Sequence, residues 1–261
     1  MGERKMIPII DSYNIEDLPM YIKPYLFIKG YAVAKNMRHT LRALPLCRTF
    51  HNGQYRKATA VVNGNTCRLP YVLHVLKVCS TLISLHLPLT DEELDILCCC
   101  ALLHDSLEDA DEFFPKNGEE LVSEYGFPEM VLTTIKLLSK YAGASQVELS
   151  EYFNAIKRNK FALLVKLADR SHNVEDLYNM KLEKLHKYVR ETRDFIYPLC
   201  SYGKQTYPEL SDGVTVLKSK ILSLTELTET IVEQYEEKLN EKEVEIAALK
   251  EQLEKLQSKT E

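Results

Sequence analysis

The sequence predicts an all-α fold: a helical bundle carrying one small β-hairpin and ending in a long amphipathic helix. Three observations predict it. Apolar residues recur at helical spacing through most of the chain, as in Leu73, Leu76, Cys79 or Ser80, and Ile83. The segment Ala58 to Leu69 differs, with Asn63-Gly64 between β-branched flanks, which is a hairpin signal. From Thr215 onward there is no Pro or Gly, and Glu and Lys separate apolar residues spaced three and four apart. Strands and helices do not alternate, so a doubly wound sheet is excluded.

The elements follow in order. Residues 1–30 carry Pro8, Pro19 and Pro24 among apolar residues, which predicts an irregular leader packed onto the domain. Tyr31 to about Leu44 reads as a helix that Pro45 interrupts. Thr90-Asp91-Glu92-Glu93 is a capping box, opening a helix through Leu94, Leu97, Ala101 and His104. Glu119 to Tyr125 forms a helix ended near Gly126, and Pro128 suits the first turn of the next. Ser145 to Glu148 is a second capping box. Phe161 to Tyr178 and Leu182 to Tyr202 continue the helical period. In the tail, Ile221, Leu224, Thr228, Ile231 and Tyr235 fit one stripe, Leu239 slips by a residue, and Ile246, Leu249, Leu253 and Leu256 resume. The division expected is a leader over 1–30, a helical domain over 31–213 and a coiled-coil helix over 214–261. Residues 215–258 would join copies in a homo-oligomer or capture a partner protein; the alternative is a solvated single helix.

Composition narrows the function. The chain has 261 residues, 45% of them hydrophobic and 27% charged, enough to bury a full core. The longest apolar run, Ile96 to Leu103, is far short of the ~20 residues a bilayer demands, so no membrane span is expected. Net charge is −5, and the tail from Thr215 holds seven Lys against eleven Glu, so the remainder is near neutral. A broad nucleic-acid-binding surface is therefore not expected, while a small anionic substrate is allowed. The seven cysteines include Cys98, Cys99 and Cys100 in a row and no C-x-x-C pair. They read as small apolar residues in a reducing compartment. The opening charges have no apolar run behind them, so no secretory signal is expected and the cytoplasm is the expected location.

The chemistry concentrates in three places. His104, Asp105, Glu108 and Asp109 lie three or four apart, on one edge if the helix continues. Four ionisable groups at the end of an apolar helix need a counter-ion, which a metal supplies. Asp169 and Asn173 share a face of a second helix; Asp169 alone could equally pair with Lys166 or Arg170. His74 lies on an apolar face, where a satisfied core histidine is the alternative. Two His and two Asp together suit one hard or borderline divalent ion such as Mn²⁺, with positions open for water and substrate oxygen. The absence of Cys from the set argues against structural zinc.

At these residues the chain resembles the HD-domain metal-dependent phosphohydrolases, and more narrowly the (p)ppGpp hydrolase branch: the hydrolase domain of the Rel/Spo enzymes and the small stand-alone alarmone hydrolases. Four motifs carry the likeness. His51 to Lys57 resembles H-x-G-Q-x-R-K, Pro70 to His74 resembles P-Y-x-x-H, His104 to Asp109 fits H-D-x-x-E-D, and Lys166 to Asn173 is close to K-L-A-D-R-x-H-N. A weaker echo follows at Glu191-Thr192 and Ile196 to Leu199, so the resemblance spans roughly residues 31–200.

The resemblance implies roles. His74, His104, Asp105 and Asp169 would bind one Mn²⁺. Glu108 and Asp109 would be catalytic, handling the proton of the attacking water and assisting the leaving group. Arg56, Lys57 and Asn173 would bind the nucleotide, Arg56 by stacking on guanine. The reaction would release pyrophosphate from the ribose 3′ position of (p)ppGpp. Two departures bear on substrate. Ala58 to Leu69 separates Arg56-Lys57 from Pro70-Tyr71 where the family has a few residues, and Asp176 stands near where larger members place a hydroxyl. Two other readings follow: an HD phosphohydrolase for another nucleotide or a reduced nicotinamide phosphate, and a catalytically silent sensor or scaffold working through its coil.

Overall fold

A computed structural model describes residues 19–62, 65–109, 118–139, 145–179 and 182–257. The chain begins with helices α1 (Pro19–Ala34) and α2 (Arg38–Phe50), followed by strands β1 (Tyr55–Val62) and β2 (Asn65–Pro70). Helices α3 (Val72–Ser84), α4 (Asp91–Leu103), α5 (Ser106–Asp109), α6 (Glu120–Ser123), α7 (Glu129–Leu138) and α8 (Gln146–Ile156) come next. They lead to α9 (Lys160–Asn173), α10 (Leu182–Glu191), α11 (Tyr197–Thr206) and α12 (Ser211–Gln257). A 3₁₀ turn over Val174–Asn179 follows α9, and a π-helical turn over Thr192–Ile196 joins α10 to α11. The all-α class therefore holds, with one two-stranded antiparallel hairpin set into it.

Helices α3, α4 and α9 form the centre. From Leu97 to Leu103 every residue of α4 is buried, so this half of the helix has no solvent face. Cys98, Cys99 and Cys100 sit within it beside Cys47 and Cys79, all buried free thiols. Asp95 is the polar exception on α4. Its carboxylate accepts from the backbone N–H of His39 at 3.0 Å and of Thr40 at 2.7 Å, and from the Thr40 hydroxyl at 2.7 Å. These are orphan donors in the first turn of α2, whose own N-cap residue, Met37, offers no side-chain cap. One helix thus caps another across the core.

Both capping boxes form, at Thr90 and at Ser145. The hairpin forms between Val62 and Asn65 in register, with Asn63-Gly64, outside the described residues, as the connection. Tyr55 pairs with Pro70 and Thr59 with Arg68, so β1 has two extra residues against its partner. This bulge holds Arg56 and turns it out of the regular ladder.

Three expectations need correction. Residues 19–30 of the supposed irregular leader are helical, Pro24 included, because Tyr21, Ile28 and Ala32 bury one stripe against the core and outweigh one lost backbone bond. Residues 1–18 of that leader lie outside the described residues. The first helical break falls at Lys35–Met37, with Asn36 at φ 54° and Met37 N–H bonding the Ala32 carbonyl at 2.8 Å, while Pro45 lies inside α2. Thirdly, α4 ends at Leu103, so His104-Asp105 occupies the turn before α5 rather than a continuous helix.

Helix α12 starts at Ser211 and lies on the domain first. Val214, Leu217, Ile221, Thr225 and Val232 are buried, and a Cβ on Gly213 would stand 2.3 Å from Leu87 Cδ2. Beyond Val232 the helix keeps a contact with α10, His186 to Glu236 at 2.9 Å, and over residues 237–250 it faces water; Tyr235, Leu239, Val244, Ile246 and Leu249 are exposed. No helix among the described residues is long and apolar enough to cross a membrane.

Candidate metal centre

The bundle brings four residues from three separate segments to one point. His74 comes from the first turn of α3, His104 and Asp105 from the turn after α4, and Asp169 from α9. One ligand atom each from His74, His104 and Asp105 lies within 4.8 Å of the others. His74 Nε2 is 3.5 Å from Asp105 Oδ2 and 3.1 Å from Asp169 Oδ1. His104 Nε2 is 3.0 Å from Asp105 Oδ2 and 3.8 Å from Asp169 Oδ1. Both imidazoles are buried, and the carboxylates nearly so.

The protonation chemistry bears on what this cluster can hold. His104 Nδ1 lies 2.9 Å from the Ala101 carbonyl, an acceptor only, so Nδ1 carries a proton. The neutral ring then has a lone pair on Nε2, a buried atom with no hydrogen-bond partner, facing the Asp105 oxygen at 3.0 Å. Two acceptors in that position need a proton or a cation between them. With a proton there, burial opposes the charge on His104, but Asp105 and Asp169 outweigh it and raise its pKa to about 10. Burial likewise opposes charge on Asp105, yet His104 and His74 hold its carboxyl well below the usual range. Asp169 is pushed the same way, burial being outweighed by the Lys166 ammonium and the two imidazoles. Two carboxylates kept ionised against two imidazole nitrogens make a donor set that fits a divalent cation.

Surrounding groups fix the donors. The Tyr71 hydroxyl donates to Asp105 Oδ2 at 2.8 Å. Lys166 Nζ donates to Asp169 Oδ2 at 3.2 Å, and Asn173 Nδ2 to Asp169 Oδ1 at 2.5 Å. Arg56 then donates to Asn173 Oδ1 at 2.8 Å, so a hydrogen-bonded line runs from the hairpin to the cluster. The Arg56 guanidinium also lies 5.8 Å from the Tyr71 ring centre, and His51 packs beside the same ring. Arg170 turns away from the cluster. It bonds Thr192 Oγ1 at 3.1 Å and Glu191, and lies over the Tyr188 ring, which locks α9 to α10.

Six of the nine residues singled out from the sequence are therefore joined by these contacts: His74, His104, Asp105, Asp169, Asn173 and Arg56. Glu108 is exposed on α5, its backbone N–H bonding the Asp105 carbonyl at 3.2 Å. The side chains of Asp109, Lys57 and Asp176 lie outside the described residues. Tyr71 and His172 stood in the motifs without an assigned part. Their contacts, to Asp105 and to His74, cross 34 and 98 residues of sequence.

Comparison with known proteins finds relatives over part of the chain. A Haemophilus influenzae guanosine-3′,5′-bis(diphosphate) 3′-pyrophosphohydrolase is 31% identical over 160 residues, 59% of this chain and 21% of that protein. A Myxococcus xanthus GTP pyrophosphokinase is 29% identical over 202 residues, 74% of this chain and 24% of its own length. These proteins are what the chain is similar to over part of its length. It spans between a fifth and a quarter of the length of these two relatives. A solved structure described as a metazoan ortholog of SpoT that hydrolyzes ppGpp is 23% identical, with a TM-score of 0.48 over 72% of this chain and 94% of that one. No family model matches the sequence.

Proposed function

We propose that the protein is an Mn²⁺-dependent phosphohydrolase that removes pyrophosphate from the 3′ position of (p)ppGpp. The observation that carries the reading is the convergence of His74, His104, Asp105 and Asp169, with a buried lone pair on His104 Nε2 and a line of hydrogen bonds to Arg56. The similarity to a ppGpp 3′-pyrophosphohydrolase supports the choice of substrate. These four residues hold the ion, with Tyr71 and Lys166 orienting the carboxylates. When bound, Mn²⁺ supplies Lewis acidity and makes water nucleophilic near neutral pH. Arg56, Lys57 and Asn173 bind the nucleotide, Arg56 offering a planar cationic face to guanine. Glu108 and Asp109 take the proton of the attacking water and return one to the ribose 3′ oxygen as its bond to phosphorus breaks.

A second reading concerns substrate only. The hairpin begins beside Arg56, so its strands are the element expected to set the choice among nucleotides, and another nucleoside polyphosphate would use the same centre. The test is turnover with Mn²⁺ across ppGpp, pppGpp, other nucleoside phosphates and NADPH. Pyrophosphate from the guanosine 3′-diphosphates supports the proposal. Turnover of another compound alone moves the reading to that substrate, and none at all favours a silent sensor.

The exposed apolar stripe of α12 carries a further part of the proposal: of the expected range 215–258, the part up to Val232 is already packed on the domain, and the helix beyond it joins copies of the chain or holds a partner. Tyr235, Leu239, Ile246 and Leu249 are each more than half exposed, an unfavourable arrangement for a helix that stays alone in water. The proposed setting is cytoplasmic, where free thiols persist.

A further inference from the structure

The two histidines of the cluster turn Nε2 toward the same carboxylates, but they are held from behind by different groups. His104 is fixed by a backbone carbonyl, which settles its tautomer. His74 Nδ1 instead lies 2.6 Å from Nδ1 of His172, and both rings are buried. Two imidazole nitrogens this close share one proton, so one donates and the other accepts.

We propose that His172 is the positioning residue of the metal centre: its Nδ1 accepts from His74 Nδ1–H and so holds His74 in the tautomer whose Nε2 is free to ligate. The proposal rests on the metal reading above. The opposite direction has a definite consequence. If His172 donated, the neutral His74 ring would carry its proton on Nε2, and that N–H would point at Asp169 Oδ1, 3.1 Å away. No lone pair would then remain for a cation. One hydrogen bond therefore decides whether His74 is a ligand or an ordinary core histidine.

The surroundings of His172 favour the accepting direction. With Nδ1 as acceptor, the neutral His172 ring bears its proton on Nε2, which faces Glu175 Oε2 at 3.9 Å. Glu175 is held in turn by Lys220 of α12 at 2.5 Å and lies 3.9 Å from Lys77. A carboxylate on that side favours an N–H over a lone pair. The arrangement is the histidine version of the carboxylate or carbonyl that stands behind many metal-bound imidazoles.

The test titrates Mn²⁺ alone into metal-stripped full-length protein and follows free Mn²⁺ by electron paramagnetic resonance, with folding checked by circular dichroism. Three variants separate hydrogen bonding from packing. His172→Asn places a carbonyl oxygen where Nδ1 stands, His172→Gln places one where Nε2 stands, and His172→Leu fills the space with no acceptor. The proposal expects His172→Asn to stay within about threefold of wild type, and His172→Gln and His172→Leu to lose roughly 10- to 100-fold in affinity. A role in packing alone would rank His172→Leu at or above His172→Asn. That ranking, or equal affinity throughout, would overturn the proposal. If His172→Leu does not fold, the Asn and Gln pair carries the comparison. Wild-type protein that takes up no Mn²⁺ would overturn the metal reading itself, and this inference with it.

Discussion

Three groups of the cluster, His74, His104 and Tyr71, converge on a single oxygen of Asp105, its Oδ2. Its replacement by Ala should abolish Mn²⁺ binding and turnover together. Glu108→Gln should keep the metal and lower turnover by roughly 10²-fold or more, because it changes proton handling and not ligation. Equal metal loss in both variants, measured by Mn²⁺ titration, would contradict the roles. A second expectation concerns the thiols. Burial pushes Cys47 and Cys100 up to about 12, so neither ionises as pH rises from 7 to 9, where a free thiol passes through its pKa near 8.5. Cys47 and Cys100 of native protein should therefore react negligibly with a disulfide reagent across that range, and denatured protein should titrate all seven cysteines. At this scale the convergence of His74, His104, Asp105 and Asp169 was legible only from the motifs taken together, because His74 alone reads equally as a core histidine and Asp169 alone as an ion-pair partner. The residues behind them were not. Tyr71 and His172 meet their partners only through the tertiary fold, and nothing local marks a side chain as the support of another.

The helices divide by whether their signals are local. Capping boxes at Thr90 and Ser145 and the Asn63-Gly64 hairpin each depend on a few adjacent residues, and each is found. Helix α1 runs through Pro24 and α2 through Pro45 because burial on the core outweighs one missing N–H, a balance that propensity alone does not contain. The cap on α2 is likewise invisible locally, since Asp95 stands 55 and 56 residues from the amides it binds. Removing its carboxylate leaves two backbone donors without their acceptor, while the Thr40 hydroxyl keeps only its longer bond, 3.3 Å, to the Asp95 carbonyl. Asp95→Ala should cost about 2 kcal/mol of stability, read as a lowered midpoint in urea with unchanged slope. A change below about 0.5 kcal/mol would show that water or a shifted α2 supplies the missing acceptor.

Over the whole molecule, α12 has two parts with different duties. Its first turns complete the domain, so a boundary at residue 213 cuts away buried Val214, Leu217 and Ile221. Each buried side chain contributes about 1.5–3 kcal/mol, which together approaches the total stability of an ordinary domain. A chain ending at residue 213 should therefore unfold or melt far lower. A chain ending at residue 237 should keep the fold and lose association, with light scattering reporting a smaller mass than the full chain. A full chain that is already monomeric would remove the coiled-coil part of the account. The central claim is that the four-residue cluster makes this chain a metal-dependent pyrophosphohydrolase. The most direct measurement adds Mn²⁺ stepwise to metal-stripped protein and follows pyrophosphate release from ppGpp, with Asp105→Ala alongside. The account predicts release that saturates with Mn²⁺ in wild type and stays at background in the variant; release independent of metal, or none from a protein that binds Mn²⁺, would contradict it.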